Sequence, residues 1–448
     1  MKIAFLAMSG VRAHDPELTA LGLTLPGFVE RNKVVASLPS LSLLTLAALT
    51  PGDIEVSYHE VPDLAVADTL PMDVDLAAIS TYSAQAGEGY TVARRYRDRG
   101  VPVVMGGLHV TALPEEAREH GAIPVVGEGE LTWPRIIADL RGGRLASEYR
   151  GPDGVQFDLA DAPVPRYELL DLARYNRLTV QTCRGCPHRC EFCASSVLIA
   201  PHYRVKPVAR VLKEIHRIRS IWPDPFIEFA DDNSFVNRDH ARELLTALRD
   251  QGLRWFTETD ISIANEPELL ELMRASGCRQ VLIGLESPVP EGLAGLETNS
   301  DWKRRRQPDY LAAIRTIQAH GITVNGCFVL GLDGQDETIF DAVHDFVERS
   351  GLYEVQITVL TAFPGTPLHA RLKREGRLLK EDAWERCTLF DVNHVPLGMS
   401  PERLRKGLVD LGRRLYDGAA TDARRKRFHR EWARTRRAAR DRGPGGSA

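Results

Sequence analysis

The sequence predicts an α/β protein: a parallel sheet in residues 1–150, a partial (β/α)6 barrel in residues 173–385 and a small helical region from 386 to 448. Three observations predict it. Short apolar runs alternate with helical patterns over the first 145 residues, which implies parallel strands with helices on both faces. A stretch rich in Pro, Gly and Asp, residues 151–172, interrupts the alternation as a linker would. Beyond it a strand–helix unit repeats six times.

Taken in order, "KIAFLAM", "IEVSYHEV", "LAAISTYS", "VPVVMGG" and "IPVVGEG" are strands of the first part. "SLSLLTLAAL", "GYTVARRYRDRG" and "WPRIIADLRGG" are its helices. In such sheets ligands bind beyond the carboxyl ends of the strands. Three of those ends are small and polar: Ser80, Thr81, Tyr82 and Ser83; Gly106 and Gly107; Gly127, Glu128 and Gly129. Glycine lets a ligand approach the backbone, but tight turns use it equally. No G-x-G-x-x-G opens a helix after the first strand, which weakens a nicotinamide dinucleotide reading.

In the second part the strands are "RLTVQTCRG", "FIEFADDNS", "RWFTETDIS", "QVLIGLES", "TVNGCFVLGLDG" and "EVQITVLTAFPG", each followed by a helical pattern. Catalytic groups of a barrel sit at the carboxyl strand ends. There the sequence places Cys186 to Cys193, Asp231 and Asp232, Glu258, Glu286 and Gly331. "SPERLRKGLVDLGRRLYDG" begins a separate helix, with Ser400 as N-cap and Pro401 in the first helical position.

Composition bounds the rest. A chain of 448 residues exceeds what one core holds and calls for two or three domains. At 43% hydrophobic and 26% charged residues it has the balance of an ordinary soluble protein. No apolar run approaches the roughly 20 residues of a membrane span. "MKIAFLAMSG" turns polar too soon for a signal peptide and reads as a buried strand. The expected location is the cytoplasm, where thiols stay reduced. Charge is uneven: residues 401–448 carry 15 Lys and Arg against 6 Asp and Glu, while the whole chain is −4. Such a block could touch nucleic acid or an acidic partner. No aromatic stacking platform accompanies it, so a solvated helix fraying into a Gly-rich tail is expected instead, and nucleic acid is not.

The chemistry concentrates in "QTCRGCPHRCEFCASS", which holds Cys183, Cys186, Cys190 and Cys193, four of the 7 cysteines. In a reducing compartment such clustering points to metal or redox chemistry. All four together would close a zinc site or saturate a [4Fe–4S] cluster. The last three, spaced C-x3-C-x2-C, would leave one iron with an open position. Two features favour three: the loop follows the first strand of the barrel, and Cys183 belongs to that strand, before the Gly185 turn. Cys278, Cys327 and Cys387 stand singly and read as buried small hydrophobes.

C-x3-C-x2-C with an aromatic residue, Phe192, before its last cysteine, on the first loop of a β/α barrel, resembles the radical S-adenosylmethionine (SAM) superfamily. The resemblance implies that Cys186, Cys190 and Cys193 bind a [4Fe–4S] cluster and that SAM chelates the open iron. Reductive cleavage then yields a 5′-deoxyadenosyl radical. It also implies SAM contacts for Phe192, for Asp231 or Asp232 in "FADDNSFV", for Glu258, for Glu286 in "IGLES" and for Gly331 in "GCFVLGLDG". The bland alternative for each carboxylate is a helix N-cap, which weighs most on Asp232.

The N-terminal part resembles the Rossmann-like (flavodoxin-like) cobalamin-binding domain fused to one branch of that superfamily. The matching stretches are "SLPSLSLLTLAALTP", "DLAAISTYSAQAGEGYTVARRYRDRGVPVVMGGLHVTALPEEA" and "PVVGEGELTWPRII". This implies cobalamin contacts at Ser80–Ser83, Gly106, Gly107, His109 and Gly127–Gly129. None of the 13 histidines has Asp two residues before it, so a cobalt-ligating D-x-H-x-x-G motif is absent. His109 is then expected as a pocket residue, with a helix-start histidine as its alternative.

Together the resemblances imply a cobalamin-dependent radical SAM methyltransferase. It would move a methyl group from SAM through methylcobalamin to an unactivated carbon of a small-molecule or lipid biosynthetic intermediate. An external electron donor such as flavodoxin or ferredoxin is implied. A non-methylating cyclase, ring-contracting or oxidative relative would carry the same motifs, because these bind cofactors and not substrate. A zinc-stabilised nucleic-acid-binding protein is the remote alternative. The segment "CTLFDVNHVPLGMSPERLRKGLVDLGRRLYDG" resembles the extension of hopanoid-methylase-like members. No residue is singled out as a proton-transfer or nucleophilic catalyst.

Overall fold

In chain order the strands are β1 (Lys2–Met8), β2 (Glu55–Val61), β3 (Leu76–Ser80), β4 (Val103–Gly106), β5 (Ile123–Val126), β6 (Tyr149–Arg150), β7 (Leu178–Val180), β8 (Cys183–Arg184), β9 (Arg204–Val205), β10 (Phe226–Phe229), β11 (Arg254–Thr259), β12 (Cys278–Glu286), β13 (Thr323–Leu330) and β14 (Glu354–Val359). The helices are α1 (Pro16–Ala20), α2 (Leu41–Leu49), α3 (Ala86–Arg97), α4 (Leu108–Ala112), α5 (Pro114–Glu119), α6 (Gly129–Arg141), α7 (Val208–Ile221), α8 (Arg238–Leu248), α9 (Pro267–Ala275), α10 (Trp302–Arg306), α11 (Tyr310–Ala319), α12 (Ile339–Ser350), α13 (Pro367–Arg374), α14 (Pro401–Tyr416) and α15 (Gly418–Asp441). This computed structural model describes residues 1–21 and 38–441. The Gly-rich end of the tail therefore lies outside the described residues. Among those residues no helix is long and apolar enough to cross a membrane.

The chain divides into two compact units: Met1–Pro225 with Thr361–His394, and Phe226–Leu360 with Val395–Ala448. The break expected at 151–172 falls inside the first unit, and the cysteine loop packs in the same unit as the N-terminal sheet.

The sheet of the first unit runs β2-β1-β3-β4-β5-β6, parallel throughout. Its leading order, 2-1-3-4-5, is that of a doubly wound sheet. β1 is apolar on both faces because both are covered, as parallel strands require. Ala4, Leu6 and Met8 join Ile79, Tyr90 and Tyr96 in one core layer. Ile3, Phe5 and Ala7 join Leu43, Trp133 and Ile136 in the other. Trp133 closes the second layer: its ring lies 5.3 Å from that of Phe5, and Nε1 donates to Thr50 Oγ1 at 3.0 Å.

In the second unit β10 to β14 lie in sequence order, again parallel. α8 turns Ala241, Leu244, Leu245 and Leu248 inward from its amphipathic face. Ser400 caps α14, its Oγ accepting from Arg403 N–H at 3.1 Å, and Pro401 opens that helix as expected. α15 runs 24 residues and packs through Arg424 and Phe428, leaving most of its cations in solvent. Arg425 pairs with Glu354, and Arg274 lies 5.0 Å above the Trp432 ring. The basic block is thus a solvated helix along its described length.

Trp133 gives a direct check on the first core. Trp133→Ala should cost about 3–5 kcal/mol. Trp133→Phe, which keeps most of the ring, should cost about 1–2 kcal/mol for the lost hydrogen bond and volume. Urea unfolding followed by circular dichroism measures both.

Candidate active site

The cysteine loop leaves β8 and is shaped by its backbone. Gly185 has φ +90°, and a Cβ there would sit 2.5 Å from His202 O and 2.8 Å from Ala200 O. Only glycine fits that turn. Arg189 adopts φ 49°, and Cys193 N–H donates to Cys190 O at 3.0 Å, which curls the last two cysteines together. Cys190 is buried, Cys186 and Cys193 are half-buried, and none forms a disulfide. Cys183 is 1% exposed and sits in the antiparallel β8–β9 ladder opposite Val205. Phe192 is half-buried within the loop.

Neighbours in the same unit pin the loop from two sides. Glu191 accepts from Arg371 Nε at 3.1 Å and Nη2 at 2.6 Å, and its carbonyl accepts from Leu368 N–H at 3.0 Å. Those partners belong to α13, which Thr366 caps. On the other side Arg184 reaches Glu128 at 2.5 Å and Glu130 at 2.7 Å. Three thiols on one fixed, irregular loop suit an iron–sulfur cluster. Among the described residues no three His, Cys, Asp or Glu side chains gather as they would round one ion.

The strand ends of the N-terminal sheet divide into two kinds. Gly107, at φ +109°, has no room for a side chain, since a Cβ would lie 2.5 Å from Thr81 O; it serves the packing of one strand end on another. Gly127, at φ +82°, faces open space within 4 Å, so a ligand can approach there. Thr81 and Ser83 are buried, while the Tyr82 ring is 54% exposed at the end of β3. Gly106 and Gly129 make only ordinary contacts. Both carboxylate oxygens of Glu128 are engaged within the protein, by Arg184, Arg204 and Phe157 N–H.

His109 takes the helix-start position, second in α4, and is fully buried. Its Nε2 lies 3.4 Å from Glu116, and its ring meets Trp384 edge-on at 5.6 Å. Nδ1 has no hydrogen-bond partner. Beside it a cleft of about 700 Å³ opens near the carboxyl end of β1, lined by Gly10, Arg12, Gln85, Tyr90, His120 and Trp384 among others. Sequence reasoning named none of these residues. Arg12 and Gln85 lie just past strand ends and were within reach of the strand-end rule. Trp384 comes from a segment more than 250 residues away, for which no local signal exists.

The second unit gathers carboxylates at its strand ends. Asp231 is buried and accepts from Ser234 Oγ at 2.7 Å. Asn237, not Asp232, caps α8, so the N-cap alternative falls for both aspartates. Glu286 ends β12 at a bulge, with φ 59°. A non-glycine residue held there costs about 1–3 kcal/mol and persists where the surroundings over-determine it. Those surroundings include Lys303, half-hidden in the sequence "WKRRR", whose Nζ lies 2.7 Å from Glu286 and 2.9 Å from Gly284 O. Gly331 turns at φ +88° and gives its N–H to Gln335 at 2.9 Å. Cys327 was expected to be buried like Cys278 and Cys387. It is half-buried instead; burial, then the carboxylates of Glu286 and Glu258, push its thiol up, and Lys303 pulls it partly back.

Burial, followed by Glu228, Asp232, Asp231 and Glu286, pushes the Glu258 carboxyl from 4.5 up to about 8. The raised value means folding favours the neutral acid. The stability so gained is complete below the unfolded value near 4.5 and is lost as pH climbs through about 8. The protein free of cofactors should therefore lose thermal stability between about pH 5 and pH 8, and Glu258→Gln, neutral throughout, should flatten that loss. Equal slopes in melts of the two proteins would remove Glu258 from this account.

Comparison with known proteins places these features. Residues 180–347 match the Radical SAM superfamily model, and residues 366–444 match a domain of unknown function, DUF4070. The chain is 30% identical over 372 residues to the hopanoid C-2 methylase of Rhodopseudomonas palustris, covering 81% of this chain and 69% of that one. It is 27% identical over 395 residues to the bacteriochlorophyllide d C-12(1)-methyltransferase of Chlorobaculum tepidum, covering 85% and 83%. Its fold is similar to that of the radical SAM methyltransferase TsrM from Kitasatospora setae, solved with cobalamin and a [4Fe–4S] cluster. That likeness has a TM-score of 0.68 at 17% identity and covers 93% of this chain and 89% of that one. With its three-thiol loop, its parallel sheets and a methylase relative spanning four-fifths of its length, the chain belongs to the radical SAM superfamily, among its methyltransferases.

Proposed function

We propose that this protein is a cobalamin-dependent radical SAM C-methyltransferase acting on an unactivated carbon of a small-molecule or lipid biosynthetic intermediate. One observation carries the reading. The relationship to methyltransferases spans 81–85% of the chain, well beyond the 180–347 segment that radical SAM enzymes of every reaction type share. A match of that length necessarily takes in part of the N-terminal sheet.

In this reading the first sheet is a Rossmann-like cobalamin domain and the strands β7 and β10 to β14 a partial barrel. Cys186, Cys190 and Cys193 hold the [4Fe–4S] cluster. The acidic strand ends of the second unit, Asp231, Asp232, Glu258 and Glu286, meet the cationic SAM, with Phe192 and Gly331 as further contacts. Lys303 holds Glu286 in its strained conformation. Cobalamin lies at Ser80–Ser83, Gly106, Gly107 and Gly127–Gly129, with His109 behind the wall of the adjoining cleft. When bound, the cluster supplies the electron that cleaves SAM, and cobalamin supplies the carrier for the methyl group. The chain's own part is to bind and orient these groups and to keep water from them. A flavodoxin or ferredoxin delivers the electron, in the cytoplasm.

Two measurements test this. Anaerobically reconstituted Cys186→Ala, Cys190→Ala and Cys193→Ala proteins should each lose most of their cluster iron, whereas Cys183→Ala should keep it. Equal loss in the Cys183 variant would refute the three-ligand set. Incubation with methyl-labelled SAM, hydroxocobalamin and a low-potential reductant should release both S-adenosylhomocysteine and 5′-deoxyadenosine. Deoxyadenosine without S-adenosylhomocysteine would replace methyl transfer with a cyclase or rearrangement.

A further inference from the structure

Glu128 stands between two glycines at the end of β5, on the strand end assigned above to cobalamin, yet its side chain points into the protein. Its carboxylate is 4% exposed. Oε1 accepts from Arg184 Nη1 at 2.5 Å and from Arg204 Nη2 at 2.7 Å. Oε2 accepts from Phe157 N–H at 2.8 Å, and Arg204 Nη1 returns a bond to Phe157 O at 2.6 Å. Arg184 also gives Nη2 to Glu130 Oε1 at 2.7 Å and to Gln181 Oε1 at 3.0 Å.

Arg184 and Arg204 face each other across the β8–β9 ladder. Two like charges opposite one another repel, and here one carboxylate lies between them. All four charged side chains are less than a fifth exposed. Charges this enclosed are tied to their partners, because removing one leaves the others without compensation. Arg184 immediately precedes Gly185 and Cys186. The Gly185 turn leaves no room to pivot, with His202 O filling the place of a Cβ. A displacement of the guanidinium therefore reaches Cys186, and a displacement of the Gly127–Gly129 strand end reaches the guanidinium.

We propose that Glu128, Arg184 and Arg204 form a positioning strut that couples the cysteine loop to the end of β5, so that loading one site tightens the other. The proposal rests on the cofactor assignment above. By linkage the coupling is reciprocal: whatever factor the cluster contributes to cobalamin affinity, cobalamin contributes to cluster retention.

The test measures the dissociation constant of hydroxocobalamin on the full chain, once free of cluster and once anaerobically reconstituted. In the wild type, reconstitution should tighten binding by about fivefold or more. Arg184→Lys keeps the charge but loses the fork that spans Glu128 and Glu130; its ratio should fall to within about twofold of one. Glu130→Gln removes a single partner of Arg184 and should give an intermediate ratio, which keeps the question answerable if the lysine variant does not fold. Iron counts and circular dichroism establish that each protein is loaded and folded. The rate of iron loss to a chelator, with and without hydroxocobalamin, should show the same dependence. A wild type that binds both iron and hydroxocobalamin with a ratio of one would overturn the strut, as would an unchanged ratio in a loaded, folded Arg184→Lys or Glu130→Gln protein. A wild type that binds no hydroxocobalamin would instead overturn the cofactor assignment.

Discussion

A parallel strand cannot turn directly into its neighbour; the chain must cross back over the sheet before it pairs again. Both large sheets of this protein obey that constraint in every registered pair. Each strand therefore delivers its last residue to the same edge as its neighbours. The polar and strained residues of each unit collect there, at 80–83, 106–107 and 127–129 in one and at 231–232, 258, 286 and 331 in the other. The apolar layers on both faces of β1 exist to make such an edge possible, because a sheet covered on two sides has only its ends left for chemistry.

The acidic edge of the second unit works against the stability of the fold. Burial, and then the neighbouring carboxylates of Glu228, Asp232, Asp231 and Glu286, hold the Glu258 carboxyl neutral well above its ordinary range. Glu286 adds backbone strain. Lys303 offsets part of this by pairing with Glu286 and bridging to Gly284 O. Buried carboxylates gathered at one strand edge, with one of them on strained backbone, suit a site that receives a cation.

The strand–helix alternation, the doubly wound first sheet and the ordered run from β10 to β14 were legible because period and punctuation are local. The cysteine loop was legible for the same reason: its residues lie within one turn of chain. What escaped was tertiary. Arg184 read as one more residue of "TCRG", and Glu128 as part of a ligand loop, because nothing local says that the two meet 56 positions apart. That pairing also explains why the cysteine loop folds into the N-terminal unit and not beyond the expected linker. Lys303 was lost in a basic run. The exposure of Cys327 was hidden because alternation in a strand buried on both faces gives no inside or outside.

The grip of α13 on the cysteine loop sets an order on how the protein is made. Glu191 and Arg371, which clasp each other, are 180 residues apart in the chain. At about 5–20 residues per second, the second of them leaves the ribosome roughly 9–36 s after the first. Throughout that interval the three thiols exist on a nascent chain without their far support. The loop gains that support only after 180 further residues have been made, so a fully shaped site for iron forms well after its cysteines leave the ribosome.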